Sequence, residues 1–241
     1  MASSVQQWCS AAASDVGCVR AVNEDAFLMR PELGLWVVAD GMGGHSAGDL
    51  ASGMIVEALQ QVAAPPALGD FVEDVAARLR MVNLALRAEA ARRGQSVIGS
   101  TVAALLTRGM QCACVWVGDS RVYRYRGGTL TRLTRDHTPL EDLIAQGCLS
   151  PADAERYAPS NILSRAVGAE DDLAVDVVSH ELAAGDRYLL CSDGLYREVS
   201  EMEVSDVLGR EDPQHACEAL VSRALQQGAR DNVTVIVVQV L

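Results

Sequence analysis

The sequence contains no lysine: all 20 of its basic residues are arginine. A lysine Schiff base and a P-loop lysine are therefore both excluded. Aromatic residues make up only 4% of the chain, too few for the stacking platforms that hold single-stranded nucleic acid or sugars. Histidine occurs only at positions 45, 137, 180 and 215, with no ligand-pair spacing, and the cysteines at 9, 18, 112, 114, 148, 191 and 217 include no CxxC. Positive charge is itself short, with 20 basic residues against 32 acidic ones and a formal net charge of −12. Such a chain repels phosphate backbones and is not expected to bind nucleic acid. No apolar run approaches the ~20 residues needed to cross a bilayer. Met1 to Ser14 lacks the basic stretch and apolar core of a signal peptide. The expected setting is the cytoplasm, away from membranes, with the cysteines serving as small buried hydrophobes.

The 241 residues are 49% hydrophobic, enough for a sizeable core in one large domain or two small ones. Leu35–Ala39 (LWVVA) is wholly apolar and reads as a strand. From Ser46 to about Val62, residues Leu50, Met54, Ala58 and Val62 recur every four positions and predict a helix that Pro65-Pro66 ends. A second helix is predicted from about Asp70, its expected N-cap, to Arg93, with Gly94 just past its end. Strands are predicted at 101–107, 111–117, 121–125 and 129–133, with Arg126-Gly127-Gly128 as a hairpin turn. Cys112 and Cys114 would share one face of their strand. Residues 138–168 are polar and carry two short helical pieces at best, as an inserted flap would. Further strands are expected at 173–179, 187–191 and 233–240, and helices at about 200–208 and 213–227. Long helices among strands joined by hairpins imply helices layered on mostly antiparallel sheet.

Four aspartates stand beside turn-forming residues at the ends of apolar strands: Asp40, Asp119, Asp193 and Asp231. Taken singly, each is ordinary turn chemistry. Together, brought to one sheet edge, they could not all stay ionised without positive charge among them. With no lysine and few arginines nearby, a divalent cation is the natural partner. An oxygen-only ligand set favours Mg²⁺ or Mn²⁺ over Zn²⁺. Gly41 lacks a Cβ, so its carbonyl could approach an ion closely. Arg20, four residues before the Glu24-Asp25 pair, could grip a phosphate with its fork of donors.

The motifs in series resemble the PP2C-type (PPM) metal-dependent protein Ser/Thr phosphatases, specifically the small bacterial members. They are Gly17-x-x-Arg20-x-x-Asn23-Glu24-Asp25, Val38-Ala39-Asp40-Gly41-Met42-Gly43-Gly44, Gly99-Ser100-Thr101 and Val117-Gly118-Asp119-Ser120-Arg121. The series continues with Leu133-Thr134-Arg135-Asp136-His137-Thr138, Leu163-Ser164-Arg165-Ala166-Val167-Gly168, Ser192-Asp193-Gly194-Leu195 and Asp231-Asn232-Val233-Thr234. The resemblance implies an α+β fold, a four-layer α-β-β-α sandwich of two antiparallel sheets, formed by residues 1–241 as one domain with a flap at about 139–170. It implies two divalent cations, Mn²⁺ or Mg²⁺. Asp40 would bridge them, Gly41 would offer its carbonyl, and Asp193 and Asp231 would complete the first site. Glu24 and Asp25 would act through water or by orienting the site. A third, weaker ion would fall to Asp119 and Asp193. Arg20 would hold the phosphate, and Arg20, Asp40, Asp193 and Asp231 would form the catalytic set around a hydroxide bridging the metals. The implied substrates are phosphoserine and phosphothreonine on proteins, opposing a bacterial Ser/Thr kinase. The competing reading is a catalytically silent regulatory module of the same fold, although such a module would usually lack one of the metal carboxylates. A nucleotide-binding turn at 37–44 is disfavoured, because the spacing is not GxGxxG and Asp40 sits where a pyrophosphate would come. Met42 stands where eukaryotic members carry a histidine, as it does in other bacterial members, so the resemblance implies that the proton for the leaving group comes from a metal-bound water or another residue. His45 is a nearby candidate, and His137 is expected to pack at the flap base.

Overall fold

The computed structural model describes residues 8–43, 47–63, 65–154 and 162–241. Gly44, His45, the Ser46 helix start and part of the flap lie outside the described residues. In chain order the elements are β1 (Trp8–Asp15), β2 (Asp25–Arg30), β3 (Leu35–Met42), α1 (Gly48–Gln60), α2 (Leu68–Arg93), β4 (Gly99–Ser100), β5 (Val102–Arg108) and β6 (Gln111–Val117). They continue with β7 (Arg121–Arg126), β8 (Thr129–Arg132), α3 (Pro139–Ala145), α4 (Pro151–Ala154), β9 (Asp176–Glu181), β10 (Arg187–Cys191), α5 (Asp193–Tyr196), α6 (Glu201–Arg210), α7 (Pro213–Gln226) and β11 (Val233–Val240). One sheet has the order β1-β11-β10-β7-β8. The other runs β2-β3-β5-β6-β9, with β4 added beside β3. Every pairing in both is antiparallel.

The alternation of side chains in β3 explains the layering. Trp36 and Val38 point to the other sheet and pack among Leu105, Tyr188, Leu190 and Ile236. Leu35, Val37 and Ala39 point the opposite way, onto Ile55, Leu59, Phe71 and Leu79 of α1 and α2. Both faces of the strand are buried, so the run is apolar without a break. The second sheet repeats the scheme, with Leu189, Val235 and Val237 against Val204, Leu208, Leu220 and Ala224 of α6 and α7. The result is the expected four-layer α-β-β-α sandwich.

Helix α2 starts at Leu68 after Ala67, which offers no side-chain cap. Asp70 therefore lies inside the first turn, not at the N-cap. There it still favours the positive end of the helix dipole. Gly94 ends the helix at φ 65°, its N–H reaching the carbonyls of Ala90 and Ala91. The turn at Gly127 and Gly128 has positive φ at both residues (56° and 85°), which suits a tight hairpin. The strand expected at 173–179 is shifted to Asp176–Glu181, where it pairs with β6. Cys112 and Cys114 share the buried inter-sheet face. Cys191 and Cys217 are also buried, but Cys9, Cys18 and Cys148 are exposed, so burial accounts for only four of the seven.

Candidate active site

The carboxylates gather where strand ends of the two sheets meet. Asp25 and Asp40 lie directly opposite one another on β2 and β3, a pairing that like charges disfavour. Asp119 follows β6, Asp193 opens α5 directly after β10, and Asp231 precedes β11. Arg20, Glu24, Asp40, Gly41, Met42, Gly43, Thr101, Asp119, Leu163, Asp193, Arg197 and Asp231 line one pocket of about 210 Å³. The structure thus brings together the residues expected to hold metal and phosphate, with the Asp25 carboxyl buried beside them, while His45 lies outside the described residues.

Local hydrogen bonds explain how the strand ends are aligned. The amide of Asp40 donates to Thr101 Oγ1 (3.1 Å), which also bonds Ser120 Oγ (2.7 Å), tying the end of β3 to the Asp119 loop. Gly118 in that loop has φ +102°, and a Cβ there would meet Thr101 at 2.7 Å. Asn232 accepts from the Glu24 amide (2.8 Å) and donates to the carbonyls of Val16 and Val22, clamping the Arg20 segment to β11. Ser192 Oγ donates to Asp25 Oδ2 at 2.7 Å. Glu24 Oε1 accepts from the Gly48 amide (3.2 Å), so its side chain caps α1. Gly41 has a packing reason to be glycine: a Cβ would strike the Gly48 carbonyl. His137 behaves as expected, buried at the flap base with Nδ1 accepting from Gly118 N (2.9 Å) and Nε2 paired to Asp176 (3.3 Å).

The electrostatics follow from burial and crowding. Burial, reinforced by Asp25 and Asp193, pushes the Asp40 carboxyl well above the usual carboxylate range. Burial likewise raises Asp25 to about 6. Asp193 rises to about 7, through burial and then Asp119. Asp119 is raised as well, by burial and then Asp136. Asp25 Oδ1 and Asp193 Oδ1 are buried without a hydrogen-bond partner. Unpartnered buried carboxylate oxygens in a cluster short of positive charge are the donor set a hard divalent cation satisfies. The spacing is nevertheless not that of a closed cage. Among the described residues, no three or more His, Cys, Asp or Glu side chains are grouped ready to hold a metal ion. Two arginines engage the carboxylates: Arg20 Nη2 pairs with Asp231 Oδ2 at 2.8 Å, and Arg197 Nη2 with Asp193 Oδ2 at 2.7 Å.

Arg197 was missed in the sequence, where nearby arginines counted as too few. Its signal was the i,i+4 spacing from Asp193, which the one-turn helix α5 turns into contact. Tyr196 was missed as well. Its hydroxyl donates to the Asp119 carbonyl (3.1 Å) and Oδ2 (3.3 Å). No serine, cysteine or histidine lines the pocket among the described residues, and its one hydroxyl, Thr101, is already bonded on both sides.

Comparison with known proteins bears on the family and the fold. The family model for protein phosphatase 2C matches residues 19–230. The Ser/Thr protein phosphatase PstP of Mycobacterium tuberculosis is 36% identical over 232 residues, 96% of this chain but 45% of that protein, so the chain spans about half of that relative's length. The structure of PppA, a regulatory component of the type VI secretion system of Pseudomonas aeruginosa, superposes with a TM-score of 0.88 at 44% identity, covering 97% of this chain and 98% of that one. The PstP catalytic domain in complex with two manganese ions has a TM-score of 0.85 at 35% identity, covering 97% and 98%. In sequence and fold, the chain belongs to the protein phosphatase 2C family.

Proposed function

We propose that the chain is a divalent-cation-dependent phosphatase that hydrolyses phosphoserine and phosphothreonine on proteins, within a single domain. The observation that carries this reading is the pocket's lining: a group of buried carboxylates with an arginine at the mouth and, among the described residues, no serine, cysteine or histidine. Asp40, Asp193 and Asp231, with the Gly41 carbonyl, would hold two ions, Mn²⁺ or Mg²⁺, and Glu24 and Asp25 would orient the site from behind. When bound, such ions supply positive charge to the phosphoryl group and lower the pKa of water at the site.

The chain's own residues do the rest. The half-exposed guanidinium of Arg20 binds the equatorial oxygens of the phosphoryl group. Its pKa is raised by its bond to Asp231, so it stays charged throughout. Ser192 holds Asp25 in place. Thr101 and Ser120 hold the Asp40 and Asp119 loops in register. With the aspartates committed to holding the cations, water would attack the phosphoryl group directly and no phosphorylated enzyme is needed, which fits a described lining without serine, cysteine or histidine. The likeness to the Ser/Thr protein phosphatase PstP supports phosphoprotein substrates, and our reading sets the chain in the cytoplasm opposite a Ser/Thr kinase. No described helix is long and apolar enough to cross a membrane. The test is hydrolysis of phosphoserine and phosphothreonine peptides against a Mn²⁺ titration. Turnover should rise from zero with Mn²⁺ and fall by about 10² or more in Asp40→Asn. A well-folded wild type that releases no phosphate at any Mn²⁺ concentration would overturn the reading in favour of a silent module.

A further inference from the structure

Asp119 and Asp193 are the pair to which the family resemblance assigns a third ion, yet in this chain a guanidinium reaches one oxygen of each. Arg197 Nη2 lies 2.7 Å from Asp193 Oδ2 and 3.6 Å from Asp119 Oδ2. The same Asp119 Oδ2 receives the Tyr196 hydroxyl at 3.3 Å. Tyr196 is itself fixed, with the Arg121 guanidinium 3.5 Å over its ring and Arg121 forked onto Asp136. Asp193 divides its two oxygens: Oδ1 is buried and unpartnered, Oδ2 belongs to Arg197.

We propose that the Arg197 guanidinium takes the place of a third cation between Asp119 and Asp193. A divalent ion there would compete with Arg197 for Asp193 Oδ2 and would meet the same guanidinium 3.6 Å from Asp119 Oδ2, so it would have to displace a cation anchored to the chain. The guanidinium supplies one positive charge at that position at every metal concentration, with side chains on both sides largely out of solvent. Arg197 also lines the wall between the pocket and an adjoining cleft of about 720 Å³ that contains Arg20 and Arg230. Arg197 is accordingly a positioning residue: it sets the orientation of Asp193 and leaves Oδ1 for the principal site. The inference rests on the metal-dependent reading above.

The test counts bound Mn²⁺ by equilibrium dialysis with electron paramagnetic resonance of the free ion, on the wild type, Arg197→Gln, Arg197→Met and Asp119→Asn. The wild type should saturate at two ions, Asp119→Asn should leave that count unchanged, and turnover should follow the two-ion isotherm with no later rise at high Mn²⁺. Arg197→Gln, which keeps hydrogen-bonding capacity without the charge, should gain a third ion that the double variant Arg197→Gln/Asp119→Asn loses. A third, Asp119-dependent ion in the wild type, with the first two intact, overturns this inference alone. So does a count of two in both Arg197 variants when their far-ultraviolet circular dichroism is native. Fewer than two ions in the wild type overturns the metal-dependent reading and this inference with it.

Discussion

Asp136→Ala tests whether the site is braced from beneath by a buried ion pair. Arg121 sends Nε and Nη2 to Asp136 at 3.0 and 2.7 Å and Nη1 to the Tyr123 hydroxyl at 2.9 Å. The side chains are 15% and 8% exposed, so solvent screens the pair little. Removing Asp136 leaves Arg121 charged, buried and short of its forked partner. Breaking such a pair from one side costs about 3–5 kcal/mol, a large share of the ~5–15 kcal/mol that holds a domain folded. For a chain of this size that corresponds to a fall in Tm of about 6–20 °C. Urea unfolding followed by circular dichroism, in chelator so that metal binding adds nothing to the folded state, measures it. The double variant Arg121→Met/Asp136→Leu should recover much of the loss, because it removes the stranded charge as well as the bond. Recovery should stay incomplete, since Arg121 also supports the Tyr196 ring that holds Asp119. A loss below about 1 kcal/mol in Asp136→Ala would place the pair among surface ion pairs and refute the bracing role.

Three further outcomes are expected. Arg20→Ala should chiefly raise KM for phosphopeptides, and an unchanged KM in steady-state assays would remove Arg20 from phosphate binding. Trp36→Ala, at a wholly buried position between the sheets, should cost about 3–5 kcal/mol in urea unfolding, and a cost under 1 kcal/mol would mean that the inter-sheet core collapses around the gap. Burial alone would raise the Asp186 carboxyl, but the bonds from Arg126 and the Ala183 amide outweigh it and hold its pKa below the usual value. A depressed folded-state pKa adds stability that is present above the ordinary carboxylate pKa and is lost as pH falls through the folded value, so the difference in unfolding free energy between wild type and Asp186→Asn should shrink below about pH 4; a difference constant from pH 7 to pH 2 would contradict it.

The inner strands of the sandwich were legible in the sequence because burial on both faces leaves an uninterrupted apolar run, as in β3, β6 and β11. The first two strands were not. Trp8–Asp15 is built mostly of small residues and is only partly buried along the edge of its sheet, and Asp25–Arg30 begins with the aspartate that faces Asp40. Neither shows an apolar alternation that stands out from a loop. The N-terminus of α2 failed for a related reason. Asp70 resembles a cap, but the helix is held by Phe71, Val75 and Leu79 in the core, and packing extends it past the local signal.

Within the site, the acids and Arg20 were legible and Arg197 was not, and the cause is physical. An aspartate at the end of an apolar strand marks itself by interrupting a hydrophobic run. An arginine that follows a one-turn helix interrupts nothing. Only when Ser192-Asp193-Gly194-Leu195 closes into α5 does position 197 come back onto position 193. The same closure changes how the net charge of −12 is distributed. The cluster of Asp25, Asp40, Asp119, Asp193 and Asp231 has one guanidinium at its mouth and another on its flank. What remains uncompensated is concentrated at Asp25, Asp40 and the inner oxygen of Asp193, where burial raises the cost of every unpaired charge. Attraction for divalent cations is therefore strongest on the side of the pocket away from Arg197, and it falls off toward Asp119, whose carboxylate the chain has already supplied with its own donors.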